Sequence, residues 1–341
     1  MGYGAKVDEV IGGLSRLLHV RRAKHNTLAD MERYLDLAPD ALFPEPPPVE
    51  RVQMKRTLLD KALRSSTVTW RSTHEVLCPR YRLRHEGKYR INRQASMRWL
   101  RPDGRRREQC LVYVHGWLEP GSWAEETTLF RKWGKDLPRC DLAHVSLPFH
   151  GVRKPRGALF SGEFFWTADL VRTVEAIRQA VHDARSAVRW LRDQGYERIG
   201  VTGISLGGAI AMLLACVEPT PDYVIPIIAH LQLVDAVEQA GILWRMRHDL
   251  EQWGVGEAER RALFGRLGWA DYRPVLPPER QLWIQAREDG YIDARLAEKQ
   301  HVEWGEPPIL WIEGGHMTFP LHVEELTQRI RRFTDEMAAP V

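Results

Sequence analysis

The sequence predicts an α/β fold in which helices cover both faces of a mostly parallel, doubly wound sheet. From residue 110 onward, short apolar segments alternate with longer segments of helical periodicity, which is the pattern of strand–helix–strand units. The first apolar segment, at 111–114, reads Leu-Val-Tyr-Val and suits a strand that is buried on both faces. A third observation is the tight strand-to-helix connection that the glycines at 203–207 indicate.

The individual elements follow from apolar periodicity along the chain. Strands are expected at residues 67–76, 95–100, 111–114, 142–147, 198–202, 223–228, 281–285 and 309–312. Helices are expected at residues 7–18, 28–35, 52–63, 177–191, 210–215, 293–302 and 321–337. These elements predict three parts: an N-terminal helical extension at 1–65, a core at 66–230 and 281–341, and a small helical cap inserted at 231–280.

The first predicted helix is amphipathic. Its apolar residues recur at helical spacing from Val7 to Leu18, and a basic segment follows at 19–24. Such a stripe could contact a membrane or a partner, but it lacks the exposed Trp and Phe typical of interfacial helices. We therefore expect the stripe to pack against the main body of the protein. Two further basic segments, at 80–93 and 101–107, are expected to be solvated loops.

Composition narrows the class of protein. The 341 residues are 44% hydrophobic and 28% charged with a formal net charge of +4, which is typical of a globular protein and argues against a nucleic-acid binder. The four cysteines have no metal-ligand spacing, so we expect reduced thiols and no metal site. Neither a secretory signal nor the roughly 20 apolar residues of a membrane span is visible. We expect a cytoplasmic protein in which peripheral membrane contact is possible but not expected, and the oligomeric state is open.

The connection at 203–207 reads Gly-Ile-Ser-Leu-Gly, between a β-prone segment and a helix-forming one. This pattern is typical of a nucleophile elbow, a strained turn that exposes the serine hydroxyl above the sheet. Gly203 and Gly207 would leave the space that the close backbone approach requires. The sequence therefore marks Ser205 as a candidate nucleophile. The alternative is an ordinary turn whose serine caps the following helix.

A serine nucleophile needs a base, and the base needs a third group to orient it. His316 follows two glycines in a loop just past a predicted strand, which makes it the candidate base. Asp289 follows the preceding strand and is our first choice for the acid, with Asp293 second and Glu288 third. The resulting chain order of serine, acid and histidine is the one that accompanies the elbow motif.

Two backbone N–H groups are expected to bind the negative charge that develops on the substrate oxygen. One is the N–H of Leu206, directly after the nucleophile, and the other is the N–H of Trp117, after the strand at 111–114. His115 and His150 also follow strand ends and are candidate substrate contacts, although His115 is better suited to orienting its loop. Arg153 suggests an anionic or phosphate-bearing substrate, with a solvated basic loop as the alternative.

Together these motifs resemble the α/β-hydrolase superfamily, from about residue 67 to the C-terminus. The resemblance implies a sheet with a cap inserted after the sixth strand, and ester hydrolysis through an acyl-serine without a metal or organic cofactor. The single His-Gly at 115–116 is unlike the hormone-sensitive lipase branch. The segment at 147–155, with Ser-Gly-Glu at 161–163, resembles the branch of mammalian α/β-hydrolase domain-containing protein 18 and its bacterial relatives.

The expected function is therefore that of a serine hydrolase that cleaves a carboxylic ester of a small molecule or lipid. Two alternatives are left open. An acyltransferase would use the same serine, acid and histidine, because an alcohol can take the acyl group in place of water. A non-catalytic binding or scaffold protein would keep the fold without the reaction.

Overall fold

The computed structural model describes residues 2–56, 64–102 and 104–338. Within these residues, one sheet contains the strands β1 (Val52–Arg56), β2 (Ser65–Arg71), β3 (Gln94–Leu100), β4 (Gln109–Val114), β5 (Cys140–Val145), β6 (Arg198–Ile204), β7 (Tyr223–Ile227), β8 (Trp283–Ala286) and β9 (Ile309–Ile312). The helices are α1 (Tyr3–Leu18), α2 (Pro39–Leu42), α3 (Pro79–Glu86), α4 (Trp123–Thr127), α5 (Leu129–Asp136), α6 (Leu170–Asp193), α7 (Leu206–Val217), α8 (Leu233–Gln239), α9 (Trp244–Gln252), α10 (Glu257–Gly265), α11 (Ala294–Glu303) and α12 (Val323–Ala338).

The sheet is mostly parallel, as predicted. Its strand order is β1-β2-β3-β5-β4-β6-β7-β8-β9. The first three strands and β5 pair in an antiparallel manner, whereas every pair from β5 to β9 is parallel. Because parallel strands end at the same edge of a sheet, the segments after β4, β6, β8 and β9 meet there.

Apolar side chains cover both faces of the sheet. On β4, Val112 and Val114 face the core formed with α6 and α7, while Leu111 and Tyr113 face the core formed with α5 and α12. The alternation follows from the two-residue period of a strand. It confirms the predicted doubly wound arrangement, in which helices cover the sheet on both sides.

The helix predicted at 52–63 is wrong over Val52–Arg56, which form the edge strand β1. This strand is largely exposed, so it lacks the alternation of buried and exposed residues that identifies a strand in sequence, and its pairing with β2 supplies the backbone hydrogen bonds. Residues 57–63 lie outside the described residues. The basic segment at 80–93 is also not a loop throughout, because its first part belongs to α3.

The expected packing of α1 is reversed. The face that contacts the body carries small and polar residues, namely Gly4, Asp8, Gly12 and Ser15, which are all buried. Exposed apolar residues on the other face include Val10, Leu14 and Leu17, with exposed fractions of 62%, 58% and 76%. Small side chains allow α1 to approach other backbone closely, since a Cβ on Gly12 would lie 3.1 Å from Gly241 Cα.

The helices α8, α9 and α10 occupy the segment between β7 and β8, where an inserted cap is predicted. This insertion follows the strand that the sequence identifies as the sixth. That strand is β7 in the described sheet, because β1 is an additional edge strand. In the part of the chain that the structure describes, no helix has both the length and the apolar character to cross a bilayer.

Candidate active site

Ser205 occupies the turn between β6 and α7 with φ of 56° and ψ of −117°. A positive φ is strained for a serine and persists only where the surrounding structure enforces it. A Cβ on Gly203 would lie 2.3 Å from the carbonyl oxygen of Gly207, and one on Gly207 would lie 2.0 Å from that of Val114. Only glycine fits at these two positions, as predicted. The hydroxyl does not cap α7, so it is free to contact groups above the sheet.

The structure brings Ser205, His316 and Asp289 together in one row of hydrogen bonds. His316 Nε2 lies 2.9 Å from Ser205 Oγ, and His316 Nδ1 lies 2.8 Å from Asp289 Oδ2. The carboxylate can only accept, so Nδ1 carries the proton and Nε2 is the acceptor for the serine hydroxyl. This is the arrangement in which an imidazole can remove a proton from serine.

The two other candidate acids lie elsewhere. At the start of α11, Asp293 accepts the backbone N–H of Arg295 at 2.9 Å and also forms an ion pair with the Arg295 guanidinium. Glu288 accepts the backbone N–H of Gly4 at 2.9 Å. Asp289, in contrast, uses its second oxygen to accept two N–H groups of its own loop. Its carboxylate is therefore held in the orientation that reaches His316.

The pKa of His316 lies above its ordinary value of 6.5. Burial lowers this pKa, but the charge and hydrogen bond of Asp289 and the charge of Asp8 together outweigh the effect of burial. A raised pKa makes the imidazole a stronger base than a free histidine. The ring is nevertheless neutral and able to accept a proton at pH values above that pKa.

Trp117 and Leu206, whose N–H groups are predicted to form the oxyanion site, both line the cavity that contains Ser205. Leu206 begins α7, where the helix dipole favours negative charge. Gly116 brings the neighbouring loop onto the elbow, since a Cβ there would lie 3.4 Å from the carbonyl oxygen of Ile204. Across the described residues, neither N–H has a hydrogen-bond partner in the protein. Their role as an oxyanion site stays a prediction.

An apolar cavity of about 50 Å³ opens at Ser205, between the sheet and the cap. No Asp, Glu, Lys or Arg belongs to its lining, which consists of Trp117, Trp166, Ser205, Leu206, Ala209, Ala229, His230, Leu233, Ala236, Ala240, Ile242, Leu243, Tyr291, Ile292 and His316. Burial lowers the pKa of His230 to about 4, so this side chain is uncharged at neutral pH. The cavity thus offers apolar surface beside the serine.

A second cavity of about 40 Å³ adjoins the first. The two share a wall made of Trp117, Trp166, Ile242 and Leu243. Of the two cavities, only the second is lined by charged residues, which are Arg21, Arg22, Glu163, Arg172, Arg245 and Asp249. The candidate site therefore has an uncharged apolar compartment at the serine and, beyond the shared wall, a largely apolar compartment whose lining also includes charged side chains.

Known proteins match both the sequence and the fold. A family model described as Alpha/beta hydrolase domain containing 18 matches residues 93–246, which include the elbow. Two uncharacterized proteins of Mycobacterium tuberculosis are each 30% identical over 304 residues, covering 82% of this chain and 66% of each relative. The chain thus spans less than two thirds of the length of these relatives.

Several solved esterase structures share the fold at low sequence identity. An esterase of Pyrococcus furiosus has a TM-score of 0.54 at 16% identity, covering 86% of this chain and 98% of that one. Acetyl xylan esterase of a Paenibacillus species has a TM-score of 0.58 at 14% identity, covering 89% of this chain and 98% of that one. Acetyl xylan esterase 1 of a Thermoanaerobacterium species has a TM-score of 0.59 at 11% identity, covering 95% of this chain and 98% of that one. The chain has the α/β-hydrolase fold.

Arg153 is buried and lines neither cavity, so it gives no support to the predicted anionic substrate. The guanidinium is 1% exposed and forms an ion pair with Asp183 at 2.7 Å. It also donates to the carbonyl oxygens of Ser146 at 2.9 Å and Asn92 at 2.6 Å. Arg153 therefore ties the loop after β5 to α6 and contacts neither cavity.

His115 and His150 are likewise buried supports, not linings of the two cavities. His115 Nε2 accepts the N–H of Leu147 at 2.9 Å, and its Nδ1 donates to the carbonyl oxygen of Gly116 at 2.8 Å. His150 Nδ1 donates to the carbonyl oxygen of Pro148 at 2.8 Å. Burial holds the pKa of both rings well below the ordinary value. Both are neutral and orient the loops after β4 and β5.

One group of potential metal ligands occurs among the described residues of the protein. Ligand atoms of Glu119, Glu125 and His144 lie within 4.8 Å of one another. Burial and the neighbouring Glu125 raise the pKa of Glu119 to about 10, so this carboxyl group keeps its proton at neutral pH. The two carboxyl groups thereby avoid the repulsion that two buried charges would suffer.

Asp8 of α1, which is not among the predicted site residues, contacts the backbone of both site loops. The signal was one of two adjacent acidic residues, Asp8 and Glu9, among the apolar and small residues of the first helix. An acidic residue on an amphipathic helix is normally solvated, so the pattern alone gave no reason to place Asp8 in the interior.

Proposed function

We propose that this protein is a serine esterase that cleaves carboxylic esters with short acyl groups. The observation that carries the proposal is the row of Ser205, His316 and Asp289, joined by contacts of 2.9 and 2.8 Å, which opens directly into an apolar cavity. The three groups have the hydrogen bonds that a serine nucleophile, a general base and an orienting acid require.

The reaction follows from this geometry. Ser205 Oγ attacks the ester carbonyl carbon while His316 Nε2 takes the hydroxyl proton, and a tetrahedral intermediate forms. His316 then returns the proton to the alcohol oxygen as the bond between carbon and that oxygen breaks, leaving an acyl-serine. Water repeats the sequence: His316 takes a proton from water, the hydroxide adds to the acyl carbon, and Ser205 leaves with the proton from His316.

Charge develops at two places during these steps. The substrate oxygen becomes negative, and the unpartnered N–H groups of Trp117 and Leu206 would bind it at the start of α7. The imidazole becomes positive, and the carboxylate of Asp289 stabilises it. Because these groups are fixed before the substrate binds, they do not need to reorganise as the charge appears.

The first cavity argues for a short acyl group. A water molecule needs roughly 10–15 Å³ of such free volume. The 50 Å³ beside Ser205 therefore accommodates about four non-hydrogen atoms, which corresponds to acyl groups from acetyl to butyryl. The uncharged lining favours an aliphatic chain over a charged one.

The second cavity fits the alcohol part of the ester. Its lining includes both charged signs, with Arg21 facing Glu163 at 3.2 Å and an ion pair between Arg245 and Asp249. Polar and charged groups on such a surface bind a hydroxylated alcohol through hydrogen bonds. We therefore propose a polar leaving group and an apolar acyl group, placed on opposite sides of the wall at Trp117 and Leu243.

The test uses p-nitrophenyl esters from acetate to palmitate with the wild-type protein, Ser205→Ala and the control Ser186→Ala. Ser186 is buried in α6, donates to the carbonyl oxygen of His182 and lines neither cavity. We expect the rate of hydrolysis to be highest for the esters from acetate to butyrate. Ser205→Ala should lower kcat on the order of 10⁶-fold. Ser186→Ala should retain the wild-type rate.

Two further measurements separate the alternatives. A fluorophosphonate should label the wild-type protein and Ser186→Ala but not Ser205→Ala. A folded wild-type protein that neither reacts with the label nor hydrolyses any ester would contradict the proposal and favour a binding protein. Added alcohol acceptors distinguish the third possibility, because an acyltransferase would give ester products at the expense of free acid.

A further inference from the structure

Asp8 joins the first helix of the chain to the two loops that carry the proposed acid and base. Its side chain is fully buried. Oδ2 accepts the backbone N–H of Gly290 at 2.8 Å and that of His316 at 2.7 Å. Oδ1 accepts the N–H of Met317 at 2.8 Å. One carboxylate thus binds the loop of Asp289 and the loop of His316 at the same time.

The partners of Asp8 explain how a carboxylate is accommodated in the interior. His316 and Met317 begin the short 3₁₀ helix His316–His322, whose first N–H groups have no partner within the helix. A negative charge is favourable at such an end because the N–H dipoles point toward it. Asp8 therefore acts as a cap for this turn from a position 308 residues earlier in the chain.

The surrounding contacts hold α1 against the same loops. The hydroxyl of Tyr291 donates to the carbonyl oxygen of Asp8 at 2.8 Å. Gly4 packs directly on the histidine loop, since a Cβ there would lie 2.0 Å from the backbone nitrogen of Gly315. Its N–H also donates to Glu288 at 2.9 Å. Several independent contacts thus fix the position of Asp8 relative to both loops.

We propose that Asp8 is a positioning residue for His316, and that α1 is therefore part of the catalytic apparatus. The inference rests on the proposed function, in which His316 is the general base. The base and its acid follow different strands, so their distance depends on how the two loops are held relative to each other. A displacement of about 1 Å between reacting groups costs on the order of 100-fold in rate.

Asp8 also acts on the charge of the imidazole. The groups that face the ring are the hydroxyl of Ser205, the carboxylates of Asp289 and Asp8, and the phenol of Tyr291, whose ring centre lies 5.1 Å away. Burial lowers the pKa of His316, while Asp289 and then Asp8 raise it. Removal of the Asp8 charge should therefore lower the pKa of His316 and destabilise the imidazolium that forms during the reaction.

The experiment compares the wild-type protein with Asp8→Asn and the matched control Glu9→Gln. Glu9 is the next residue of α1, is exposed, and loses the same charge upon substitution. We expect Asp8→Asn to lower kcat about 10- to 100-fold with little change in KM. The acid limb of its pH profile should move to lower pH. Glu9→Gln should match the wild-type protein in all three quantities.

Two activity-independent measurements complete the test. NMR of ¹³C-labelled histidine gives the pKa of His316 directly, and we expect a lower value in Asp8→Asn than in the wild-type protein and in Glu9→Gln. Gly4→Ala should also lower the pKa of His316, because its new Cβ pushes α1, and with it Asp8, away from the loop at Gly315. Circular dichroism and thermal unfolding establish that each variant is folded.

The outcomes distinguish the two levels of the proposal. A folded Asp8→Asn variant with wild-type kcat, pH profile and His316 pKa would overturn the positioning role. A wild-type protein without activity that depends on Ser205 would overturn the proposed function, and the NMR comparison would still decide whether Asp8 controls His316. If Asp8→Asn does not fold, Gly4→Ala decides the question with the same measurements.

Discussion

Nδ1 of His316 and Oδ2 of Asp289 are 2.8 Å apart, although the two residues belong to loops that follow different strands. The strands are β8 and β9, which are parallel neighbours at the edge of the sheet. Their ends therefore deliver both loops to the same edge, where the elbow after β6 also lies. The contact arises from sheet topology and is independent of the distance between the two residues in sequence.

The first prediction concerns the choice of acid. Asp289→Asn should lower kcat by about 10,000-fold, because an amide no longer enforces the tautomer in which Nε2 accepts the serine proton. Asp293→Asn is the matched control, since Asp293 bonds to Arg295 at the start of α11. It should retain activity within about twofold. Steady-state kinetics on a short-chain ester measure both, and equal losses would contradict the assignment.

The second prediction concerns pH. Activity requires neutral His316, whose pKa lies above the ordinary 6.5 because Asp289 and Asp8 outweigh burial. Protonation of the base below that pKa abolishes its ability to accept a proton. The profile of kcat/KM should therefore reach half its plateau above pH 6.5 and fall further as the pH decreases. A half-maximum below this value, measured with a short-chain ester in buffers of constant ionic strength, would be inconsistent with the charge environment described.

Much of the sheet and of the candidate site could be predicted from local patterns. The strands from β4 onward are apolar runs between turn residues, and the elbow is specified by Gly203, Ser205 and Gly207 themselves. The order of serine, acid and histidine then left few choices. The position of Asp289 just after its strand made it the first choice over Asp293, and in the structure Asp289 contacts His316 whereas Asp293 contacts Arg295.

The errors share a physical cause, namely long-range pairing of polar groups. The face of α1 that packs inward is selected by hydrogen bonds to Asp8, which were invisible without the loops that donate them. Arg153 follows a strand end, where ligands often bind. It points inward instead because Asp183 of α6 offers a buried partner. β1 is recognisable only from its pairing with β2.

The third prediction concerns the wall between the two cavities. Leu243→Ala removes side-chain volume that separates them, so the acyl compartment should extend into the second cavity. We expect the ratio of kcat/KM for hexanoate over acetate to rise about 10-fold, which is typical of a change of a few methylene groups in a pocket. Leu263→Ala in the cap lines neither cavity and should leave this ratio unchanged. An unchanged ratio in Leu243→Ala would place the acyl group elsewhere.

The fourth prediction concerns Arg153. Arg153→Met should lower the free energy of unfolding by about 3–5 kcal/mol, because it leaves Asp183 buried without its cation. The double variant with Asp183→Leu should recover part of that loss. Denaturant unfolding measures the stability. The relative rates on anionic and neutral esters should stay as in the wild-type protein, and a selective loss with anionic esters would restore a substrate role for Arg153.

The last prediction tests the orientation of α1. Leu14 and Leu17 are exposed by 58% and 76%, whereas Gly12 on the opposite face lies against Gly241. Leu14→Gln and Leu17→Gln remove little buried apolar surface, so each should change the free energy of unfolding by no more than about 0.5 kcal/mol. Gly12→Leu should destabilise the protein by at least about 1 kcal/mol, because its side chain meets backbone at the contact with Gly241. If α1 instead packed through its apolar stripe, the glutamine variants would be the more destabilised ones in chemical unfolding.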